Sequence, residues 1–146
     1  MDSKAAAGGK PPLDGKAPPL VLVVDDDVRT ARMLVRMLRD DGFEVELAND
    51  GATAIGRLSR QPIPDVLLTD FRLPHADGLA VARYARSRGA TMPILIMTGY
   101  PELVPQDELG APTVVHSKPV DYAALLEDLR RAVGLDGIAP RSLRQP

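Results

Sequence analysis

The stretch Val21-Leu22-Val23-Val24-Asp25-Asp26-Asp27 decides how the rest of the chain is read. An apolar run that ends abruptly in carboxylates is the pattern of a parallel strand buried on both faces, which delivers polar groups at its carboxyl edge. Three later segments repeat it. Asp65-Val66-Leu67-Leu68-Thr69 closes in Asp70, the run from Pro93 to Met97 closes in Thr98, and Thr113 to Ser117 closes in Lys118. Open parallel sheets bind ligands beyond the carboxyl ends of their strands, where the strand order reverses. Asp25, Asp26, Asp70, Thr98 and Lys118 are therefore expected at one edge of one sheet.

Between these runs the apolar period changes from two to that of a helix. Ala31, Leu34, Val35 and Leu38 recur at i, i+3, i+4 and i+7, so a first helix is expected from Val28 to Asp41, ending before Gly42. Phe43 to Ala48 alternates like a strand. Asn49 or Asp50 can cap a second helix carrying Ile55 and Leu58, and Asp77 a third through Val81 and Tyr84 to Gly89. A last helix is expected from Asp121, through Tyr122, Leu125, Leu126, Leu129 and Val133, to a stop at Gly134. Strands alternating with helices predict an α/β fold, a five-stranded doubly wound parallel sheet with right-handed crossovers. Pro101, Pro105 and Pro112 interrupt the segment from Gly99 to Pro112, so a fourth helix must be short, either a turn before Pro105 or one beginning there.

Composition limits the alternatives. A chain of 146 residues, 45% hydrophobic, supports one ordinary core, and its net charge of -2 gives no footprint for nucleic acid or an anionic membrane. Cysteine is absent, which excludes disulfides and thiolate metal sites. Leu20 to Val24 is too short for a signal-peptide core, so a soluble cytoplasmic protein is expected. The division is expected to be a flexible tail over residues 1–19, one domain over 20–133, and an irregular tail over 134–146.

A carboxylate cluster with one hydroxyl and one ammonium suits a hard divalent cation and a phosphoryl group, so the edge reads as a magnesium-dependent phosphoryl acceptor. Read singly, each residue has an ordinary explanation: Asp25 to Asp27 as an acidic turn capping a helix, Asp70 as a strand-end aspartate, Thr98 and Lys118 as surface residues. Asp27 is expected to be only a cap. His75 and His116 read as structural or surface residues. It is the joint order that favours a site.

That order resembles the receiver domains of two-component response regulators. The matching stretches are Val21 to Asp27, Asp70-Phe71-Arg72-Leu73-Pro74 with Asp77-Gly78, Met97-Thr98-Gly99 and Lys118-Pro119, and the resemblance runs from about Leu20 to Val133. It implies a flavodoxin-like strand order, 2-1-3-4-5, with Asp70 as the phosphoacceptor. Asp25, Asp26 and Asp70 would hold Mg2+, with the backbone carbonyl of Arg72 completing the protein ligands. Thr98 and Lys118 would contact phosphoryl oxygens, with Thr98 as the trigger of the switch. The domain would be no enzyme beyond self-phosphorylation and slow self-dephosphorylation, the water path being flanked by the bulky Arg72 and Tyr100. Thr98-Gly99-Tyr100 and the shortened fourth helix resemble the FAT GUY group of single-domain regulators, with Ile96-Met97 replacing that group's first two residues.

One departure stands out. Many receivers carry Tyr or Phe three residues before the lysine, and here that position is Val115. A valine has no ring to turn, so a switch must run through something else, with Tyr100 as a candidate. Arg29, Arg32, Arg36 and Arg39 form a basic stripe along the first helix, which by resemblance docks a sensor histidine kinase or histidine phosphotransfer protein. No DNA-binding, cyclase or kinase segment follows Val133, so output is expected through contact with another protein, or as a phosphate shuttle or sink. A monomer is expected without phosphate. Two rivals remain at this stage: a haloacid-dehalogenase-like phosphatase, against which Arg29 and the lack of a late acidic pair count, and a non-phosphorylated interaction module.

Overall fold

A computed structural model describes residues 17–73 and 75–135. The two expected tails therefore lie for the most part outside the described residues, as does Pro74. The elements run β1 (Leu20–Val24), α1 (Val28–Asp40), β2 (Glu44–Ala48), α2 (Gly51–Leu58), β3 (Val66–Asp70), α3 (Gly78–Arg88) and β4 (Ile94–Thr98). A 3-10 turn (Pro101–Leu103), α4 (Gln106–Leu109), β5 (Thr113–Ser117) and α5 (Tyr122–Ala132) complete the order. All strand pairs are parallel, in the order β2-β1-β3-β4-β5, as expected.

Successive side chains of a strand point to opposite faces, and the sheet uses both. Leu22, Val24, Leu67, Ile94 and Ile96 pack with Ala54, Leu58, Val81 and Ala85 under α2 and α3. Val21, Val23, Leu68, Leu95 and Met97 pack with Leu34, Leu38, Leu125 and Leu129 under α1 and α5. β1, β3 and β4 are buried at every position, which is why their sequences read as continuous apolar runs rather than alternation. Right-handed parallel crossovers then carry all their carboxyl ends to one edge.

Four helices begin at an aspartate cap. Asp27, Asp50, Asp77 and Asp121 each accept backbone N–H groups of the first turn of α1, α2, α3 and α5. The segment after β4 lacks such a cap and takes both short forms that its prolines permit. Pro101 opens the 3-10 turn, and Pro105 stands at the N-cap of the four-residue α4. Val104 and Leu109 anchor it in the core, and side chains from elsewhere hold the polar groups around it. Arg86 of α3 donates to the carbonyls of Leu109, Ala90, Met92 and Pro112 and to the Thr113 hydroxyl. Arg83 pairs with Glu108, and the Gln106 amide donates to the Thr113 carbonyl.

Candidate acceptor site

The strand register assembles the edge. Val24 pairs with Thr69, Asp70 with Met97, and Thr98 with Ser117, so Asp25, Asp70, Thr98 and Lys118 leave adjacent strands at one level. Two backbone bonds tie the exits together: Phe71 N–H donates to the Met97 carbonyl at 3.0 Å, and Lys118 N–H to the Thr98 carbonyl at 2.8 Å. Gly78 is demanded by close approach, since a Cβ there would lie 2.0 Å from the Asp70 carbonyl oxygen. On the other flank a Cβ at Gly51 would lie 1.9 Å from the Ala76 carbonyl oxygen, so the start of α2 seats directly on the loop after β3.

Asp25 and Asp70 are buried, at 0% and 3% exposure, whereas Asp26 is exposed. One carboxylate oxygen from each of the three lies within 4.8 Å of the others. Asp25 Oδ1 accepts the Asp27 N–H at 2.9 Å, while its Oδ2 is buried without a hydrogen-bond donor. The Lys118 ammonium pairs with Asp70 Oδ1. Burial, and then the adjoining Asp70 carboxyl, push the pKa of Asp25 up to about 7. An orphaned carboxylate oxygen among three converging carboxyls is a donor set short of a cation. Oxygen-only ligands of this kind fit Mg2+ and do not fit a soft metal.

Thr98 is buried beside them, and its Oγ1 accepts the Tyr100 N–H at 3.0 Å. Arg72 is exposed, and its guanidinium stands over the Tyr100 ring, 5.1 Å from the centroid. The loop carrying Arg72 holds His75 at φ 58° and Ala76 at φ 111°, left-handed values for non-glycine residues. Val115 is half-buried against the α2 and α3 side of the core. His116 Nε2 lies 2.8 Å from Asp128 Oδ2, so it links β5 to α5, as its reading as a structural residue anticipates.

Next to the edge, Arg29, Arg32, Arg36 and Arg39 are all exposed on α1. Arg32 and Arg36 form a ridge between two grooves. One is lined by Val28, Arg29 and Met33, the other by Val35, Arg39 and Leu47. The sequence reading found the charges and missed the apolar floors, because Val28, Met33 and Leu47 fall off the core-facing period; they are 48%, 53% and 37% exposed. Arg39 donates to the Val45 carbonyl at 3.0 Å, so it also serves the outer edge of β2.

A doubly wound sheet with clustered carboxylates, a threonine and a lysine at its carboxyl edge defines a receiver domain. The chain belongs to the response regulator receiver domain family, whose sequence profile matches residues 21–130. It is similar to response regulator MprA of Mycobacterium leprae, 45% identical over 78 residues, which are 53% of this chain and 34% of that protein. It therefore spans about a third of the length of the curated relatives it matches. Among solved structures it resembles chemotaxis protein CheY4 of Vibrio cholerae, at 32% identity and a TM-score of 0.67, over 80% of this chain and 99% of that one. It also resembles the receiver domain of sensor histidine kinase PA1611 from Pseudomonas aeruginosa, at 32% identity and a TM-score of 0.69, over 81% and 99%. That structure has a magnesium ion coordinated in its active-site cleft. Receiver domains are the phosphoacceptor signalling domains of two-component systems. Among the described residues no helix is long and apolar enough to cross a membrane.

Proposed function

We propose that Asp70 accepts a phosphoryl group from a phosphohistidine in a magnesium-dependent reaction, and that the occupied state signals by protein contact. The observation that supports this most is the convergence of Asp25, Asp26 and Asp70 with the Lys118 ammonium already on Asp70. Asp25, Asp26 and Asp70, with the Arg72 carbonyl, would hold the cation, which when bound neutralises charge on the transferring group. The chain's own part is alignment. An Asp70 carboxylate oxygen forms the O–P bond as the P–N bond to the donor imidazole breaks, and the imidazole nitrogen leaves as a neutral base. Lys118 follows the charge from Asp70 to a phosphoryl oxygen, and the Thr98 hydroxyl donates to another. A loose transition state asks for little nucleophilic strength, so a plain carboxylate suffices.

The donor docks on α1. The ridge of Arg32 and Arg36 between two apolar-floored grooves fits two packed helices of a bundle with an acidic surface, seated one in each groove. The broken segment after β4 leaves little helix for a dimer, so the unphosphorylated domain should be a monomer, which light scattering tests.

The test is labelling by acetyl phosphate followed by mass spectrometry. Mass increases on Asp70 in magnesium and not in chelator, and Asp70→Asn takes no label. Equal labelling of Asp70→Asn, or labelling in chelator, removes the proposal. Failure to take label or to bind magnesium favours a non-phosphorylated interaction module.

A further inference from the structure

β3 carries a single polar residue ahead of Asp70: Thr69, which follows Val66, Leu67 and Leu68. It is fully buried, at 0% exposure, and by alternation it shares the face of Leu67, on the α2 and α3 side of the sheet. A valine of the same shape would fill that place, so packing does not account for the hydroxyl. Thr69 Oγ1 donates to the carbonyl of Asp70 at 2.8 Å. That carbonyl stands past the last pair of β3 with β1, which is Val24 with Thr69, so it has no strand residue opposite it on that side. The N–H of the same peptide unit, that of Phe71, donates to the Met97 carbonyl on β4 at 3.0 Å. Gly78 closes over the unit, its N–H donating to the Phe71 carbonyl at 2.7 Å.

We propose that Thr69 is a positioning residue of this site: its hydroxyl fixes the Asp70–Phe71 peptide, and through it the Asp70 carboxylate and the Arg72 carbonyl that would share the cation. The inference rests on the reading of this edge as a Mg2+ and phosphoryl site. The physical reason is that a buried carbonyl without a donor is costly, so a peptide unit robbed of one turns until it finds another. A peptide unit is planar and moves as one piece. Here the Thr69 hydroxyl holds its carbonyl end and the Met97 carbonyl its N–H end. Asp70 is attached before that plane and Arg72 one residue after it, so a small rotation displaces both ligands at once. Mg2+ demands near-ideal octahedral geometry and tolerates such a displacement poorly.

The experiment compares Thr69→Val with Thr69→Ser in the full chain, measuring Mg2+ affinity by titration calorimetry and stability by urea unfolding. The two readouts should part. Thr69→Val keeps the shape and loses the hydroxyl, and weakens Mg2+ about tenfold, the low end for a group that holds a ligand in place. Thr69→Ser keeps the hydroxyl and loses a buried methyl, so it unfolds at lower urea yet binds Mg2+ as the unsubstituted protein does. If Thr69→Val does not fold, Thr69→Ala takes its place, and it binds Mg2+ about tenfold more weakly than Thr69→Ser. Unchanged Mg2+ affinity in the variant that lacks the hydroxyl overturns the positioning role and leaves the reading of the site in place. An equal loss in Thr69→Ser also overturns it, because the metal then follows packing. No Mg2+ binding by the unsubstituted protein overturns the reading of the edge, and the positioning role with it. If the Mg2+ ranking holds while acetyl phosphate leaves Asp70 unlabelled, the acceptor reading falls and Thr69 stands as the positioning residue of a metal site.

Discussion

The helix before the pocket and the segment after β4 flank the same edge and are held by opposite means. α1 is a 13-residue helix with a side-chain cap at Asp27 and a core stripe of Ala31, Leu34 and Leu38. The segment from Pro101 to Leu109 has one 3-10 turn, a four-residue helix and no side-chain cap at either start. α1 is stabilised by its own pattern, which leaves its outer face free to carry charge. The other side has two anchors in the core, Val104 and Leu109, and is otherwise held by side chains from outside, among them Arg86 on the Leu109 carbonyl. A helix fixed by burial is a stable docking platform, whereas a 3-10 turn with no buried residue can shift at small cost.

The largest expected effect tests that difference directly. Arg86→Ala removes donors to five acceptors in α4, β5 and the turn before β4, and should lower stability by about 2–4 kcal/mol in denaturant unfolding. Arg36→Ala, on the exposed face of α1, should stay within about 0.5 kcal/mol. Equal losses would mean that both sides are held alike, and the contrast would fail.

Function should divide the other way. Reversing charge at Arg32 and Arg36 should slow transfer from a phosphorylated histidine protein about tenfold at low salt, with a smaller loss at high salt, because these ridge charges act on encounter. Labelling by acetyl phosphate should not change. If both donors slow equally, the ridge supports the pocket and not docking.

Two aspartates at the start of α1 sharpen the comparison through pH. Burial raises the pKa of Asp25 to about 7, while hydrogen bonds from Thr30 hold that of the capping Asp27 below its ordinary value. A raised carboxyl stabilises the fold while protonated, and that contribution fades as pH rises from about 4 through about 7. A lowered one stabilises the fold when ionised, and is lost only as pH falls below the ordinary carboxylate range. Between pH 5 and 7.5 Asp27 stays ionised, so of these two aspartates Asp25 alone changes. Metal-free protein should therefore lose stability over that window, and Asp25→Asn should flatten the slope. Magnesium binding near pH 6 should release a proton, measurable by calorimetry in buffers of different ionisation enthalpy. A flat profile in the unsubstituted protein would contradict the raised pKa.

The frame and the carboxylate edge were legible because buried parallel strands write themselves as apolar runs with abrupt polar ends. β1 with Asp25 and β3 with Asp70 are the plainest cases. The caps at Asp27, Asp50, Asp77 and Asp121 were legible for a local reason, since each needs only the N–H groups two or three residues on. Arg86 was not legible, because the carbonyls it meets are up to 26 residues away and carry no side-chain signature. The buried Arg57 with Glu46, and the buried Arg130 with Asp41, were missed because the partners stand 11 and 89 residues apart, which no local period carries. At Tyr100 the sequence exposed an aromatic beside Thr98, but the N–H that joins them belongs to the backbone and has no letter of its own.

The smallest effect separates two roles within the basic stripe itself. Arg39 shares the spacing of Arg32 and Arg36, yet one of its N–H groups is already spent on the Val45 carbonyl at the free edge of β2. A partly exposed hydrogen bond of this kind contributes under about 1 kcal/mol, and capping the carbonyl also discourages a further strand from pairing there. Arg39→Ala should therefore cost a measurable fraction of a kcal/mol in urea unfolding, which Arg32→Ala should not. In phosphotransfer the order should invert, with Arg32→Ala slowing the reaction more than Arg39→Ala at the same salt concentration. If Arg39→Ala slows transfer as much as Arg32→Ala and leaves stability untouched, the stripe acts as one uniform field, and its far end is part of the docking surface as well.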